Sequence, residues 1–391
     1  MKIVIICRRE SVMSKRLRRV AIALRKAIVR LEPTSKISKL FLVMAYKIVL
    51  ISFGRYKKRK KSAVKVILAN IPPEDAENSR KINKIYNEIL YCRFMYQINA
   101  REYFTYQFEK LSPSGRKLYI TRGNKYPFYR KFNNPNYLGY FNKKTETYRK
   151  FKKYYKRDVI ALYDESDYST FLAFVTKHPR FIYKPSDDYG GNGVVIYNIE
   201  EYESLEELFK MIIYKGYCVL EELIQQSLEI AQIHPQSVNT TRVVAFRKQD
   251  GEVIIQWVFF RMGMGGSHTD NMSGGGLGAM VDPETGILYE QGRDYLGKSH
   301  LFHPDTGVKI IGLQLPEWNQ LLELVKELSS VIPQVRLVGW DFAYSDKGWD
   351  FVEANSRPQC LTAQITTING RLHQYQEIEE IFDRELIENG S

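Results

Sequence analysis

The chain has 391 residues, 44% hydrophobic and 26% charged, enough for two or three domains with their own cores and too apolar for disorder of the whole. Its formal net charge is +14, yet residues 1–61 alone hold 19 Lys or Arg against two Glu, a net of +17, so residues 62–391 sum to about −3. The basic character belongs to a segment and not to the body of the protein.

Cys7, Cys92, Cys218 and Cys360 lie far apart, with no CxxC or Cys/His spacing, and read as free thiols of a reducing compartment. His234, His268, His300 and His303 lack a metal-binding helix spacing such as HExxH and read as surface or hydrogen-bonded histidines.

In chain order, MKIVIIC suits a short strand or the start of a cationic helix. From Lys15 to Arg30 the spacing of Leu17, Val20, Ala21, Leu24 and Ile28, with Lys15, Arg19, Lys26 and Arg30 on another face, predicts a basic amphipathic helix. Ile37 to Gly54 is more apolar but carries Lys47 at its centre, and RYKKRKK follows. The central charge argues against a spanning helix, and no cleavable signal pattern is present. Two readings stand: a helix lying on an anionic membrane surface, or a helical subdomain packed on the catalytic body. Nucleic acid is the weaker partner, since no recognised reading motif accompanies the charge.

Residues 62–112 read as helical, ended by Ser112, Pro113 and Gly115. Between Tyr119 and Tyr163 tyrosines interleave with lysines. Such a pattern could stack on bases or sugars, though amphipathic packing is the more ordinary use. DVIALYDES and FLAFVTKHPRFIYKP then predict strand, helix and strand.

FIYKPSDDYGGNGVVIYN places two apolar strands around a loop closing on Gly190, Gly191 and Gly193. Glycine is favoured where a backbone needs positive φ or has no room for a Cβ, and successive N–H groups in such a loop can cradle phosphate oxygens; a plain hairpin turn is the alternative. Neither a P-loop nor a dinucleotide fingerprint is present. Further on come a helix in EYESLEELFKMIIYKG, a strand in YCVLEELI ending in Glu221 and Glu222, and strands in SVNTTRVVAFR and EVIIQWVFFRMG. A glycine-rich loop with His268, Asp270, Asn271 and Ser273 and a helix from Glu317 to Val331 lead to two strands, VRLVGWDFAYSDKGWDFVEANSRP, turning at Ser345–Gly348.

This order of motifs resembles the ATP-grasp superfamily. LEELIQQSLEIAQIHPQSVNTTRVV and GWDFAYSDKGWDFVEANSRP resemble its sugar-transfer-associated branch, over roughly Asn142 to Phe382. The resemblance implies a mixed α+β or α/β protein in which two α+β subdomains clamp ATP, here with a helical, basic N-terminal extension. The domains expected are a basic segment 1–61, a helical region 62–135, a catalytic domain 136–382 and a tail 383–391. It further implies that Lys184 contacts the α- or β-phosphate, with Lys144, or Lys143 beside it, as a second phosphate-side lysine. Ser186, Gly190, Gly191 and Gly193 belong to a flap over the β- and γ-phosphates. Adenine would bind along the strand end at Glu221, Glu222 and Leu223, and Glu222 or Glu229 would take the ribose hydroxyls. Asp341, Glu353 and Asn355 match the ligands of two Mg2+ ions. Arg242, Arg261 and Arg357 would neutralise charge on the phosphoryl group in transfer, and Asn239 and Thr240 would help position the acceptor.

Two features depart from the pattern: the first hundred-odd residues lack a three-strand pre-domain, and the flap carries Tyr189, Asp187 and Asp188. The expected function is an ADP-forming, Mg2+-dependent carboxylate–amine ligase working through an acyl phosphate. Its substrates would be sugar-linked, in capsule or surface-polysaccharide synthesis. It would lie in the cytoplasm, peripheral at the inner face of the membrane. A peptide ligase of secondary metabolism, a phosphotransferase and a non-catalytic membrane or glycan adaptor are the alternatives.

Overall fold

The computed structural model describes residues 35–52, 54–187, 193–367 and 369–390. The strand or helix start at MKIVIIC, the basic helix from Lys15 to Arg30, and Asp188, Tyr189, Gly190 and Gly191 of the flap lie outside them. The chain divides into two compact units, one of Met1–Lys117 with Thr121–Gly123, the other of Leu118–Ile120 with Asn124–Ser391.

The smaller unit is helical. Its elements are α1 (Lys36–Ser52), α2 (Tyr56–Leu68), α3 (Ser79–Tyr96), α4 (Ala100–Thr105) and α5 (Pro113–Lys117). Asn78 caps α3 by accepting from the Lys81 N–H, and Asn99 with Glu102 closes a capping box on α4, each satisfying N–H groups that the first turn leaves without partners. Leu42, Val43 and Leu50 of α1, Ile67 of α2, and Tyr86, Ile89, Leu90 and Cys92 of α3 are buried. The expectation that Pro113 ends a helix is corrected: Pro113 opens α5, where its missing N–H costs nothing, and the preceding helix already stops at Thr105.

The larger unit holds two sheets, and every strand pair in them is antiparallel. After α6 (Arg122–Phe132), α7 (Gly139–Asn142) and α8 (Lys144–Phe151) comes a four-stranded sheet in the order β1-β4-β2-β3. Its strands are β1 (Val159–Leu162), β2 (Arg180–Pro185), β3 (Val195–Asn198) and β4 (Cys218–Glu222), with α9 (Tyr168–Lys177) and α10 (Leu205–Tyr214) between them in sequence. Phe171, Phe174, Leu208, Phe209 and Ile212 of these helices pack on Phe181, Tyr183, Tyr197 and Leu220. Strand alternation therefore puts Ile182 and Lys184 on the opposite face.

After α11 (Leu228–Ala231) follows a seven-stranded sheet in the order β11-β10-β5-β6-β7-β8-β9. Its strands are β5 (Thr240–Arg247), β6 (Val253–Met262), β7 (Leu277–Val281), β8 (Gly292–Asp294), β9 (Ser299–His300), β10 (Leu337–Ser345) and β11 (Gly348–Asn355). Helices α12 (Trp318–Val331), α13 (Leu361–Thr367) and α14 (Leu372–Gly390) complete the chain. One face, with Val243, Ala245, Val258 and Phe260, packs on Leu321, Val325 and Leu328 of α12. The other, with Val244, Phe246, Trp257, Phe259 and Leu337, packs on Phe128, Tyr129 and Phe132 of α6 and Tyr375 and Ile378 of α14. The expected boundary at 135 thus lies inside the larger unit, because residues of α6 form its core. Several tyrosines and phenylalanines between 119 and 163, among them Tyr129, Phe141, Phe151 and Tyr154, are buried, while lysines at the surface lie over tyrosine rings, as Lys150 does over Tyr140. That segment is used for packing.

Candidate active site

The β10–β11 hairpin, turning at Ser345–Gly348 as its sequence predicts, sets the register on which the site is built. Asp341 pairs across the sheet with Glu353 on one side and Arg242 on the other. Thr240, two residues before Arg242, pairs with Arg261. Alternation of period two puts Thr240, Arg242 and Arg261 on one face, and the register shift at Asp341/Phe342, which pairs Asp341 with Glu353, brings Asp341, Glu353 and Asn355 to the same face, the face that carries the Phe259 and Trp257 core further along.

Asp341 is fully buried and accepts from Arg242 through both Nε and Nη2, in a two-pronged pairing that suits the guanidinium fork. Arg261 adds a third hydrogen bond at 2.9 Å. Burial alone would raise the Asp341 carboxyl, but Arg242 and Arg261 outweigh it and hold it below the usual carboxylate range. Glu353 behaves in the opposite way: desolvation and the neighbouring Asp341 charge hold it above its ordinary value, while its side chain stays about half exposed. Asn355 donates to Glu353 at 3.1 Å. Arg261 also donates to Thr240 Oγ1 at 2.6 and 2.8 Å, and Thr240 donates to the buried Asp270.

Asp270 belongs to the glycine-rich loop after β6, and the same loop sends Asn271 and Met272 into a cleft of about 20 Å3. Arg242, Arg261, Phe259, Tyr295, Gln359, Leu361 and Thr362 are the other walls. This is space for about one water-sized group, with two guanidinium ions on one side. The loop is held close: a Cβ on Gly276 would stand 2.6 Å from the Asp270 carbonyl oxygen and 2.7 Å from that of Met262. The loop thus lies against Arg242 and Arg261 through Asp270 and Asn271. A separate hollow of about 410 Å3 is lined by Lys156, Asn319, Glu323, Trp349 and their neighbours and contains none of these groups.

A second cluster joins the two sheets. Lys184 on β2 donates to Glu221 on β4 at 2.8 Å. Arg157, just before β1, donates to the same oxygen at 2.6 and 3.0 Å, to the Phe351 carbonyl at 2.8 Å, and pairs with Asp350 at 2.9 Å. Burial would raise the Glu221 carboxyl, but Arg157 and Lys184 outweigh that and bring it down to about 2. Its folded value lies below its ordinary 4.5, so the ion cluster stabilises the fold above that pH and the stabilisation fades as pH falls toward 2. The shift corresponds to something on the order of 3 kcal/mol. Urea unfolding at a series of pH values between 7 and 3 should show the loss starting below pH 5, and Glu221→Gln should flatten it.

The remaining expected residues are placed as follows. Lys144 opens α8, where its N–H donates to the Ser186 carbonyl at 3.0 Å and its Nζ to that of Pro185 at 3.1 Å. Ser186 is buried and hydrogen-bonded to Thr145 Oγ1 at 3.0 Å, so the two flank the base of the flap. Gly193 closes that loop with φ +71°. Glu222 accepts from the Asp158 N–H at 2.9 Å, and Leu223 is half-buried just beyond β4. Glu229, on α11, is exposed, as is Arg357 after β11. Asn239 does not face the cleft: it is buried, with its amide donating to Gln226, Ile230 and His234. It holds that loop together immediately before Thr240, so its expected part in positioning the acceptor would run through the loop and not through contact.

Arg157 and Asp350 escaped the sequence reading, since an arginine at a strand start and an aspartate in a hairpin read as surface charge. The one available signal was Asp350 sitting between Trp349 and Phe351 in an otherwise apolar strand.

The oxygen set fits a hard divalent cation. Glu353, Asp341 and Asn355 share one face of adjoining strands, and a cation there would offset both the desolvation and the Asp341 repulsion that raise Glu353. Asp341 already meets two arginines, so a cation bound there would share its oxygens with them.

Two sheets, one presenting a Lys–Glu pair and the other a row of carboxylates and arginines, are the arrangement expected of an ATP-grasp fold. Residues 124–380 match the family described as sugar-transfer associated ATP-grasp, and the chain belongs to that family. Among curated proteins none matches. Solved structures similar to this chain include phosphoribosylamine–glycine ligase from Thermotoga maritima (15% identity, TM-score 0.40, covering 66% of this chain and 61% of that one). D-alanyl-alanine synthetase A from Vibrio cholerae is another (12%, 0.36, 63% and 65%). A third is N5-carboxyaminoimidazole ribonucleotide synthetase as its ADP complex (13%, 0.36, 57% and 47%). The chain spans about half the length of the carboxyaminoimidazole synthetases it resembles.

Proposed function

We propose that this protein is an ATP- and Mg2+-dependent carboxylate–amine ligase that forms an amide through an acyl phosphate. The observation that carries the reading is the cross-strand row Glu353–Asp341–Arg242, with Arg261 and the small cleft beside it. A carboxylate oxygen of the acceptor attacks the γ-phosphorus, and the bond to the β-phosphate oxygen breaks, releasing ADP. An amine nitrogen then attacks the acyl carbon, phosphate leaves, and the nitrogen loses its proton. No protein nucleophile takes part, so the contribution of the chain is positioning and charge stabilisation.

Arg242 and Arg261 face the cleft where negative charge accumulates, and Asp341 and Asp270 fix their guanidinium groups. Glu353, Asn355 and Asp341 would hold Mg2+, two ions in this reading, which supply Lewis-acid neutralisation of the phosphate oxygens. Lys184, with Lys144 as a second phosphate-side lysine, would contact the α- or β-phosphate, the Ser186–Gly193 loop would cover the β- and γ-phosphates, and the end of β4 at Glu221, Glu222 and Leu223 would hold the adenosine. The family description supports a sugar-linked carboxylate or amine, hence surface-polysaccharide or capsule synthesis. The basic residues 1–61 support work at the inner face of a membrane.

Glu353→Gln removes one anionic ligand but keeps the side chain's size. It should weaken Mg2+-dependent ADP binding by about 10- to 100-fold while leaving metal-free binding unchanged, as calorimetry with and without Mg2+ would show. Equal binding by variant and parent in Mg2+ would contradict the metal assignment.

A further inference from the structure

Helix α1 buries one face and leaves the other bare. Leu42, Val43 and Leu50 are in the core of the smaller unit, whereas Ile37, Leu40, Phe41, Met44, Ile48 and Ile51 are 55–81% exposed. Their spacing of three and four puts all six on one stripe about 100° wide, as for an amphipathic helix with two apolar faces. Single exposed apolar residues are ordinary, but a contiguous stripe of six calls for an occupant. Residues 35–68, which hold α1 and α2, include ten Lys or Arg and no Asp or Glu. Lys57, Lys58, Lys61 and Lys65 of α2 are exposed. Lys47, at the edge of the stripe, has a lowered pKa through burial and then through Lys60, which shows like charges crowded together. No described helix is long and apolar enough to cross a membrane.

We propose that α1 and α2 form an interfacial anchor for an anionic lipid bilayer, with Ile37, Phe41, Met44 and Ile48 seated among the acyl chains and the α2 lysines on the headgroup phosphates. Charge selects this occupant. A second copy docking by the same face would bring ten cations onto ten, since a twofold contact apposes identical patches. Residues 1–34 of this chain carry ten Lys or Arg against two Glu and are no better matched. A nucleic acid would satisfy the lysines but leave the apolar stripe in water. A bilayer of acidic lipid meets both demands at once. The proposal deepens the membrane part of the functional reading and does not depend on the ligase chemistry.

The test is co-sedimentation of the full chain with vesicles of phosphatidylcholine alone and of phosphatidylcholine with 30 mol% phosphatidylglycerol (about that fraction suffices for a strong surface potential). Binding is expected to the second and to be far weaker to the first. Phe41→Glu with Ile48→Glu should reduce it by about 100-fold, and Lys57→Gln with Lys58→Gln and Lys61→Gln by a similar factor. Phe41, Ile48, Lys57, Lys58 and Lys61 are all exposed, so circular dichroism of the variants should match the parent. ATP turnover on soluble substrates should be unchanged in both variants, which separates failure of the anchor from failure of the ligase reading. Absence of vesicle binding by the parent chain would overturn the proposal. So would undiminished binding by both variants, or a shift of the parent from dimer to monomer in Phe41→Glu with Ile48→Glu.

Discussion

Arg157→Ala should destabilise the larger unit by about 3–5 kcal/mol, the cost of stranding buried charge when one partner of an ion cluster is removed. Arg157 is buried, as are Glu221 and Asp350. Without the guanidinium, Glu221 keeps only Lys184, and Asp350 loses its ion-pair partner at 2.9 Å and keeps the Lys156 N–H. The Phe351 carbonyl loses a donor as well. Because Arg157 reaches Glu221 in the four-stranded sheet and Phe351 in the seven-stranded one, the loss falls on the connection between the sheets. Urea denaturation with unchanged slope and a lowered midpoint is the expected signature. Arg157→Lys should recover part of the loss, since it restores charge but not the fork that spans three acceptors. A change below 1 kcal/mol for Arg157→Ala would show that water or side-chain rearrangement satisfies both carboxylates.

Arg242→Ala should lower turnover by about 10²- to 10³-fold, the range seen when one preorganised donor to developing negative charge is removed. Its effect has two sources. The guanidinium lines the cleft, and it also holds Asp341, which is 0% exposed. Arg242→Lys separates them: the charge remains near the cleft, while the two-pronged bond to Asp341 is lost. If charge at the cleft dominates, Lys recovers most of kcat; if the orientation of Asp341 dominates, Lys resembles Ala and the Mg2+ dependence shifts in both. Full activity in Arg242→Ala would remove Arg242 from the catalytic set.

The strand pattern carried much of the architecture. The alternation in WDFAY and WDFVEAN, with SDKG between them, was enough to predict a hairpin, but a plain turn there would set Asp341 opposite Val352; the register shift at Asp341/Phe342 pairs it with Glu353 instead, and nothing in the sequence announces that bulge. The helix at 318–331 and the strands around Lys184 were equally legible, because a single periodicity runs through each. What could not be read were long-range pairings. Nothing near Arg157 in sequence indicates that its partners are 64 and 193 residues away, and the same holds for Asp270 on Thr240. Asn239 is a related case: its place beside a strand arginine does not reveal that its amide holds the loop of His234. The exposed stripe on α1 was legible only as apolarity, since a sequence does not say which of two apolar faces is covered.

The most direct test of the central claim is ATP consumption with Mg2+ against a panel of uronic acids, amino sugars and amino acids, following ADP and inorganic phosphate together. The ligase account predicts that both products form in equal amounts only when a carboxylate and an amine are present together, and that Glu353→Gln abolishes the reaction. ADP accumulating with a stable phosphorylated product and no phosphate release would contradict it and identify a phosphotransferase, while nucleotide binding without turnover on the whole panel would contradict it in favour of an adaptor.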